Sequence, residues 1–71
     1  MEILVFKTNV TSRKKVSMIA SLFTSFPTIR QWSFDLEDCD KVLRIEATEL
    51  NPASVEQLLF SAGFNCRELD Y

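Results

Sequence analysis

Alternation of apolar and polar positions in the first ten residues predicts a β-strand. One side of this strand carries Ile3, Val5, Lys7 and Asn9. The other side is almost wholly apolar, and it carries Leu4, Phe6, Thr8 and Val10. Because even the more polar side is half apolar, we expect both faces to be partly covered, which is typical of a central strand.

The next segment changes to the spacing of an α-helix. Thr11 or Ser12 can cap its first turn. Pro27 is predicted to end it, because proline cannot continue a helix. Apolar residues recur at intervals of three and four, as expected for a single buried stripe, at Val16, Ile19, Ala20, Phe23 and Phe26.

A period of two returns after Thr28 and predicts a hairpin. The polar residues 37–40 form its tip. The first strand has Gln31, Ser33 and Asp35 on one side, with Trp32, Phe34 and Leu36 on the other. The second strand, residues 41–47, is predicted to point Leu43, Ile45 and Ala47 inward, with Val42, Arg44 and Glu46 outward.

A second helix follows, and a short strand over residues 65–71 ends the chain. Asn51 and Pro52 form a strong helix start, and Gly63 is placed to end the helix. Its predicted apolar stripe consists of Val55, Leu58, Leu59 and Ala62.

The order strand–helix–strand–strand–helix–strand predicts one domain over residues 1–71. Right-handed crossovers turn this order into the ferredoxin-like βαββαβ sandwich, an α+β fold in which two helices cover one face of a four-stranded antiparallel sheet. The chain has 71 residues, of which 46% are hydrophobic and 25% charged, an ordinary globular composition.

Several segments, taken together and in order, resemble the heavy-metal-associated domain, the small fold of copper chaperones. The segments are residues 6–10 before the first turn, residues 32–35 and 41–45 in the hairpin, and residues 61–64 at the end of the second helix. The resemblance implies the ferredoxin-like fold over essentially the whole chain. It also implies a Cys-x-x-Cys metal loop between the first strand and the first helix.

This chain departs from the family at that loop. Matched position by position, Ser12 and Lys15 stand where the family has its two cysteines, and Val10 matches the buried position before them. A soft ion such as Cu(I) prefers thiolates, whereas Ser12 offers a hydroxyl and Lys15 an ammonium group. We therefore expect no metal at Ser12 and Lys15, and no cofactor.

The fold would gather the first turn, the hairpin tip and residues 63–66 at one end of the sheet. One interpretation is a solvated group of charges that compensate one another. A second is a surface for a protein partner, since chaperones of the resembled family dock through this end. The residues predicted to bind a partner are Arg13, Lys14, Lys15, Asp38 and Asp40.

A third interpretation is a displaced thiol site for copper or zinc. It would use Cys39 and Cys66, within one chain or across a dimer. Two cysteines this far apart do not form a small disulfide framework, and free cysteine often behaves as a small apolar residue.

The sheet face without helices offers a surface for a homodimer. Ile3, Val5 and Val42 are predicted to lie together on its central strands. Apolar residues rimmed by charge can mark self-association.

Other function classes find little support. The chain has no histidine and no recognisable nucleophile turn, so we expect no enzyme. A net charge of −2 and the lack of a long apolar run argue against nucleic acid and membrane as partners. The start does not resemble a signal peptide, so we expect a cytoplasmic protein. The sequence predicts a non-catalytic interaction module, with a metal carrier using Cys39 and Cys66 as the alternative.

Overall fold

The computed structural model describes residues 2–69 and confirms the ferredoxin-like fold. Its elements are β1 (Glu2–Thr8), α1 (Arg13–Phe23), β2 (Ile29–Asp35), β3 (Val42–Ala47), α2 (Pro52–Ser61) and β4 (Cys66–Glu68). The strands form one antiparallel sheet in the order β2-β3-β1-β4. Strand β1 is therefore central, as its two partly apolar faces predicted.

One side of the sheet and both helices share a single hydrophobic core. The inward positions of β1 and β3 face each other in register, with Leu4 opposite Ile45 and Phe6 opposite Leu43. These residues belong to the same buried cluster as Ile19 of α1 and Leu59 of α2. Both helices therefore cover the same face of the sheet. The cluster's remaining members are Val10, Phe23, Ala47, Leu50, Val55 and Phe64.

Strand β2 lies at one edge of the sheet and is anchored by aromatic side chains. Trp32 packs edge-on against Phe23 of α1, with ring centroids 5.3 Å apart, and against Phe34, at 6.0 Å. The pairing with β3 is irregular between Ile29 and Gln31, which places a bulge at Arg30. The bulge keeps both Ile29 and Trp32 on the helix side of the sheet.

Helix α1 ends four residues before the predicted stop. Its C-terminal cap is Thr24, and Phe26 lies in a tight turn in which its N–H donates to the carbonyl of Phe23. Proline disfavours the helical conformation of the residue that precedes it, so the chain leaves the helix before it reaches Pro27. Phe26 still packs against the core.

Helix α2 begins as predicted, with the Asn51 side chain accepting from the N–H of Ala53. Its end corrects one prediction, because Ala62 is exposed and serves as the C-terminal cap. Gly63 has a φ of 93°, and the N–H of Phe64 then donates to the carbonyl of Leu59. This is the pattern of a Schellman motif, which returns the chain to the core through Phe64.

The last strand is shorter than predicted. Regular pairing with β1 covers Cys66–Glu68, and the N–H of Leu69 still donates to the carbonyl of Val5. Asp70 and Tyr71, which the sequence placed in this strand, lie outside the described residues. Within residues 2–69, neither helix is long and apolar enough to cross a membrane.

We predict that neighbouring residues of α2 differ sharply in their contribution to stability. Leu59→Ala should lower the free energy of unfolding by about 2–5 kcal/mol, because Leu59 is fully buried. Phe60→Ala should change it by less than about 0.5 kcal/mol, because the Phe60 side chain is 74% exposed. Urea denaturation of the two variants measures both values. Equal losses would contradict this assignment of the core.

Candidate functional site

Hydrogen bonds join three loops at one end of the sheet, as the predicted topology requires. The N–H of Thr8 donates to the carbonyl of Asp40 in the hairpin tip. On the other side of β1, the N–H of Asn9 donates to the carbonyl of Asn65, and the Asn9 side chain accepts from the N–H of Asn65 at 2.9 Å. The loop before α1 is therefore held between the tip and the start of β4.

The loop between β1 and α1 is built around a buried valine and a capping serine. Val10 is fully buried, and its N–H donates to the Thr8 hydroxyl at 3.2 Å. Ser12 has extended backbone geometry, and its Oγ accepts from the N–H of Lys15 at 3.3 Å. The Lys15 Nζ lies 3.3 Å from Thr11 Oγ1. The Ser12 hydroxyl thus satisfies one of the free N–H groups of the first helical turn.

These groups do not fit a thiophilic metal ion. Residues 9–15 contain no Cys, His, Asp or Glu. A cation would meet the positive end of the helix dipole and the charge of Lys15, without a thiolate to bind it. The donor set is suited to helix capping and not to holding Cu(I) or Zn(II).

Three consecutive cations are presented at the start of α1. Arg13, Lys14 and Lys15 are all exposed. Among residues 2–69, one ion pair has a nitrogen–oxygen distance of 4.0 Å or less. It joins Lys7 Nζ to Asp40 Oδ1 at 3.5 Å and involves none of these three cations. Direct contact therefore does not neutralise the basic turn, which we define as residues 13–15.

The predicted acidic residues largely organise the hairpin tip. Asp35 Oδ1 accepts from the N–H groups of Glu37 and Asp38, and Asp38 Oδ1 accepts from the N–H of Asp40 at 2.8 Å. The Lys41 Nζ donates to the carbonyl of Leu36 at 2.7 Å. Asp38 and Asp40 are thus only half exposed, and each has one oxygen in a local contact.

An open hollow lies between Arg13, the first residue of the basic turn, and the end of β2. It has a volume of about 520 Å³ and is lined on one side by Arg13, Val16 and Ser17. Residues 34–37, which include Asp35 and Glu37, line the other side. Opposite charges therefore face a common hollow whose walls also contain Val16, Phe34 and Leu36.

Cys39 lies between two carboxylates in a group that the sequence analysis overlooked. Potential ligand atoms of Asp38, Cys39 and Asp40 all lie within 4.8 Å of one another. The acid–thiol–acid run in the sequence could have indicated this group directly. Because Asp40 already pairs with Lys7, one of its carboxylate oxygens is partly occupied.

Cys66 has a different environment and packs against the hydrophobic core. It lies opposite Thr8 on β4 and is half-buried. Burial, together with a smaller effect of the negative charge of Glu56, raises the pKa of the Cys66 thiol from 9.0 to about 12. The neutral thiol is therefore strongly favoured, whereas a metal ligand must be a thiolate.

The two cysteines lie on opposite sides of β1. Thr8 pairs with Cys66 on one side and bonds to Asp40, the neighbour of Cys39, on the other. Two strand spacings separate these segments by about 10 Å. A disulfide needs Cα atoms within about 7 Å, and both cysteines are free. The structure thus keeps Cys39 and Cys66 apart within one chain.

We predict a pH-dependent contribution of Cys66 to stability. Its pKa is higher in the folded chain, so its contribution is complete below about pH 9 and is lost as the pH rises towards about 12. Over this range the unfolding free energy of the wild type should fall more steeply than that of Cys66→Ala. Cys39→Ala should follow the wild type. Urea denaturation at several pH values measures these slopes, and parallel curves for wild type and Cys66→Ala would contradict the prediction.

Solved structures that are similar to this chain in fold include two domains of metal-handling proteins. The yeast copper transporter domain Ccc2a, studied in apo and Cu(I)-loaded states, matches with a TM-score of 0.83 and 12% identity over 99% of this chain and 97% of that chain. The N-terminal domain of ZntA in its Zn(II) form matches with a TM-score of 0.77 and 16% identity, over 93% and 89% respectively. By sequence, the chain matches no protein-family model and no curated protein. At these identities the likeness is one of fold.

Proposed function

We propose that this protein is a non-catalytic, cytoplasmic interaction module with a heavy-metal-associated fold. In this proposal it has lost the metal-binding cysteine pair and docks a protein partner through the basic turn. The observation that carries the proposal is the state of the loop before α1. Its hydroxyl caps the helix, and the three cations that follow are exposed and lack a carboxylate contact within residues 2–69.

The loop geometry supports the loss of metal binding. Both matched structures were studied with a bound metal ion, Cu(I) in one and Zn(II) in the other. The resembled family binds its ion through two cysteines at the positions of Ser12 and Lys15. Here Ser12 offers a hydroxyl oxygen, which is not a soft ligand for such an ion. Lys15 places a positive charge beside any incoming cation.

The charge distribution supports docking. Uncompensated charges on a surface mainly set the rate of encounter and the choice of partner. Arg13, Lys14 and Lys15 would attract an acidic surface, whereas Asp38 and Asp40 would form a second contact set through oxygens not used in the tip. The hollow beside Arg13 offers apolar walls, from Val16, Phe34 and Leu36, for a side chain of the partner.

The alternative is a copper or zinc carrier that uses Cys39 and Cys66. The acid–thiol group at 38–40 favours Cys39 as a ligand, since its neighbours can contribute carboxylate oxygens. Cys66 is disfavoured by the raised pKa of its thiol and by its distance from Cys39 in the same chain. A carrier would therefore need thiols from two copies of the chain.

A metal titration separates the two functions. We expect the reduced wild-type protein to bind neither Cu(I) nor Zn(II) tightly in competition with a weak chelator. The variant Cys39→Ser with Cys66→Ser should then behave in the same way. Tight binding by the wild type that disappears in this variant would establish the carrier and overturn the interaction module as proposed.

We also predict that the loop can be converted into a metal site. Ser12→Cys combined with Lys15→Cys should gain tight Cu(I) binding, because the backbone would then aim two thiolates at one ion near a helix start. Ser12→Cys alone, with Lys15 retained, is the matched control and should bind far more weakly. If the paired variant does not bind Cu(I), the loop does not have the geometry on which the position-by-position match depends.

Charge reversal tests docking through the basic turn. Proteins retained from a cell extract by the immobilised wild-type protein should include a partner that Arg13→Glu/Lys14→Glu/Lys15→Glu loses. The same partner should elute with salt, because exposed charges are screened. Arg44→Glu, an exposed change on the sheet face, is the control and should retain the partner. A set of bound proteins that is identical for wild type and triple variant would contradict the proposed docking surface.

A further inference from the structure

The two edges of the sheet differ in how well they are protected against further strand pairing. Strand β4 has three residues, and short edges offer little for another strand to pair with. Strand β2 has seven residues, and its partner within residues 2–69 is β3 alone. Its bulge at Arg30 disturbs one end only, which leaves residues 31–35 as a regular open edge.

The direction of the backbone groups on this edge follows from the register. The N–H of Thr48 donates to the carbonyl of Thr28, so residue 48 and the alternate residues 46, 44 and 42 of β3 point their backbone groups towards β2. These residues pair with Gln31, Ser33 and Asp35. The N–H and C=O groups of Trp32 and Phe34 therefore point away from the sheet, where a further strand would pair.

The side chains along this edge are self-complementary in one antiparallel register centred on Ser33. In that register Trp32 lies opposite Phe34 of a second copy, and Gln31 lies opposite its Asp35. Cross-strand aromatic pairs stabilise a sheet, and an amide opposite a carboxylate can donate a hydrogen bond to it. Both aromatic rings are only half-buried in the single chain, and each borders an open hollow between α1 and the edge.

Charges at the ends of the same register are also complementary. Arg30 is exposed and has no carboxylate within 4.0 Å in the described part of the chain. Arg30 lies in the bulge near the start of β2, and Asp35 ends the strand next to Glu37 of the turn. Antiparallel pairing about Ser33 brings the start of β2 close to the end of β2 in the second copy, so Arg30 approaches Asp35 and Glu37 there. The twofold symmetry repeats this contact at the other end, so two arginine–acid contacts flank the aromatic pairs.

We propose that the protein forms a homodimer by antiparallel pairing of β2 with β2 of a second copy, which creates a continuous eight-stranded sheet. The occupant is a second copy because the antiparallel register centred on Ser33 forms the aromatic and amide–carboxylate pairs, brings arginine and acids together at both ends, and leaves both helix layers on the same side. The contact is smaller than a standard interface of about 1,600 Å², so the dimer exchanges with monomer. It rests on β2 and not on the basic turn, so it can fail independently of the proposed function.

Substitution of Ser33 tests the dimer without disturbing the monomer. Ser33 is exposed and lies opposite Arg44 on β3, so Ser33→Glu adds an opposite-charge pair within one chain. In the dimer it places two glutamates directly across the twofold axis, which is destabilising. The matched control is Gln57→Glu, the same change of charge on an exposed position of α2.

Sedimentation equilibrium of the full chain, from micromolar to millimolar concentration, measures this association. With rising concentration, the average mass of the wild type and of Gln57→Glu should increase from the mass of one chain towards that of two chains. The dissociation constant of Ser33→Glu should be at least about tenfold higher. A wild type that remains monomeric at millimolar concentration, or a Ser33→Glu variant that associates as tightly as Gln57→Glu, would overturn the dimer.

Hydrogen exchange identifies the surface that is used. As concentration rises, the outward N–H groups of Trp32 and Phe34 should exchange more slowly, while that of Ser33, already directed at β3, should not change. Association that protects other amides and leaves Trp32 and Phe34 unaltered would overturn the proposal.

A charge swap provides a second, independent test. Arg30→Glu and Glu37→Lys should each weaken association on their own. An equimolar mixture of the two variants should restore it, because at one end the glutamate introduced in one chain meets the lysine introduced in the other. The second end of the mixed dimer keeps the native Arg30 beside the native Glu37. A mixture that associates no more tightly than either variant would contradict the register.

Discussion

Burial of one side of β1 is the constraint on which the rest of the structure depends. Phe6 lies fully buried between the neighbouring strands, where it pairs with Leu43 on β3 and with Glu68 on β4. The same side continues through Thr8 and Val10, so the buried row extends past the end of the strand into the loop. Because Val10 is held in the core, the residues that follow it must turn directly into α1, and this positions Ser12 as the cap.

The arrangement of the loops at one end of the sheet is a consequence of that burial. Thr8 bonds to the hairpin tip through its N–H, and its hydroxyl donates to the carbonyl of Lys41. Three loops are thereby held close together, and their side chains decide the chemistry. Where a metal-binding domain of this fold would need thiolates, this chain has a capping hydroxyl and exposed cations. Asp35 and Asp38 accept from backbone N–H groups of the tip and Asp40 pairs with Lys7, so within residues 2–69 none of these acids forms an ion pair with the basic turn.

Much of the fold was predictable because its elements have local determinants. The alternation in β1 and β3, the Asn51–Pro52 start and the glycine at position 63 are each chemical preferences of a few neighbouring residues. Ala62 was wrongly assigned to the core because periodicity alone cannot show that the helix ends there and that Phe64 returns in its place. On the open face, the register places Arg44 opposite Val5 and Glu46 opposite Ile3, so charged residues alternate with the apolar ones.

The sequence by itself determined the element order, the buried faces and the lack of thiols in the loop before α1. All of these depend on residue type and on spacing along the chain. Only the tertiary structure decided which side chains share an environment. It placed Cys66 beneath α2 with a raised pKa, across β1 from Cys39, and it directed the backbone groups of Trp32 and Phe34 outward. Burial, pairing register and edge position arise from contacts between residues distant in the chain, and the pattern of neighbouring residues does not encode those contacts.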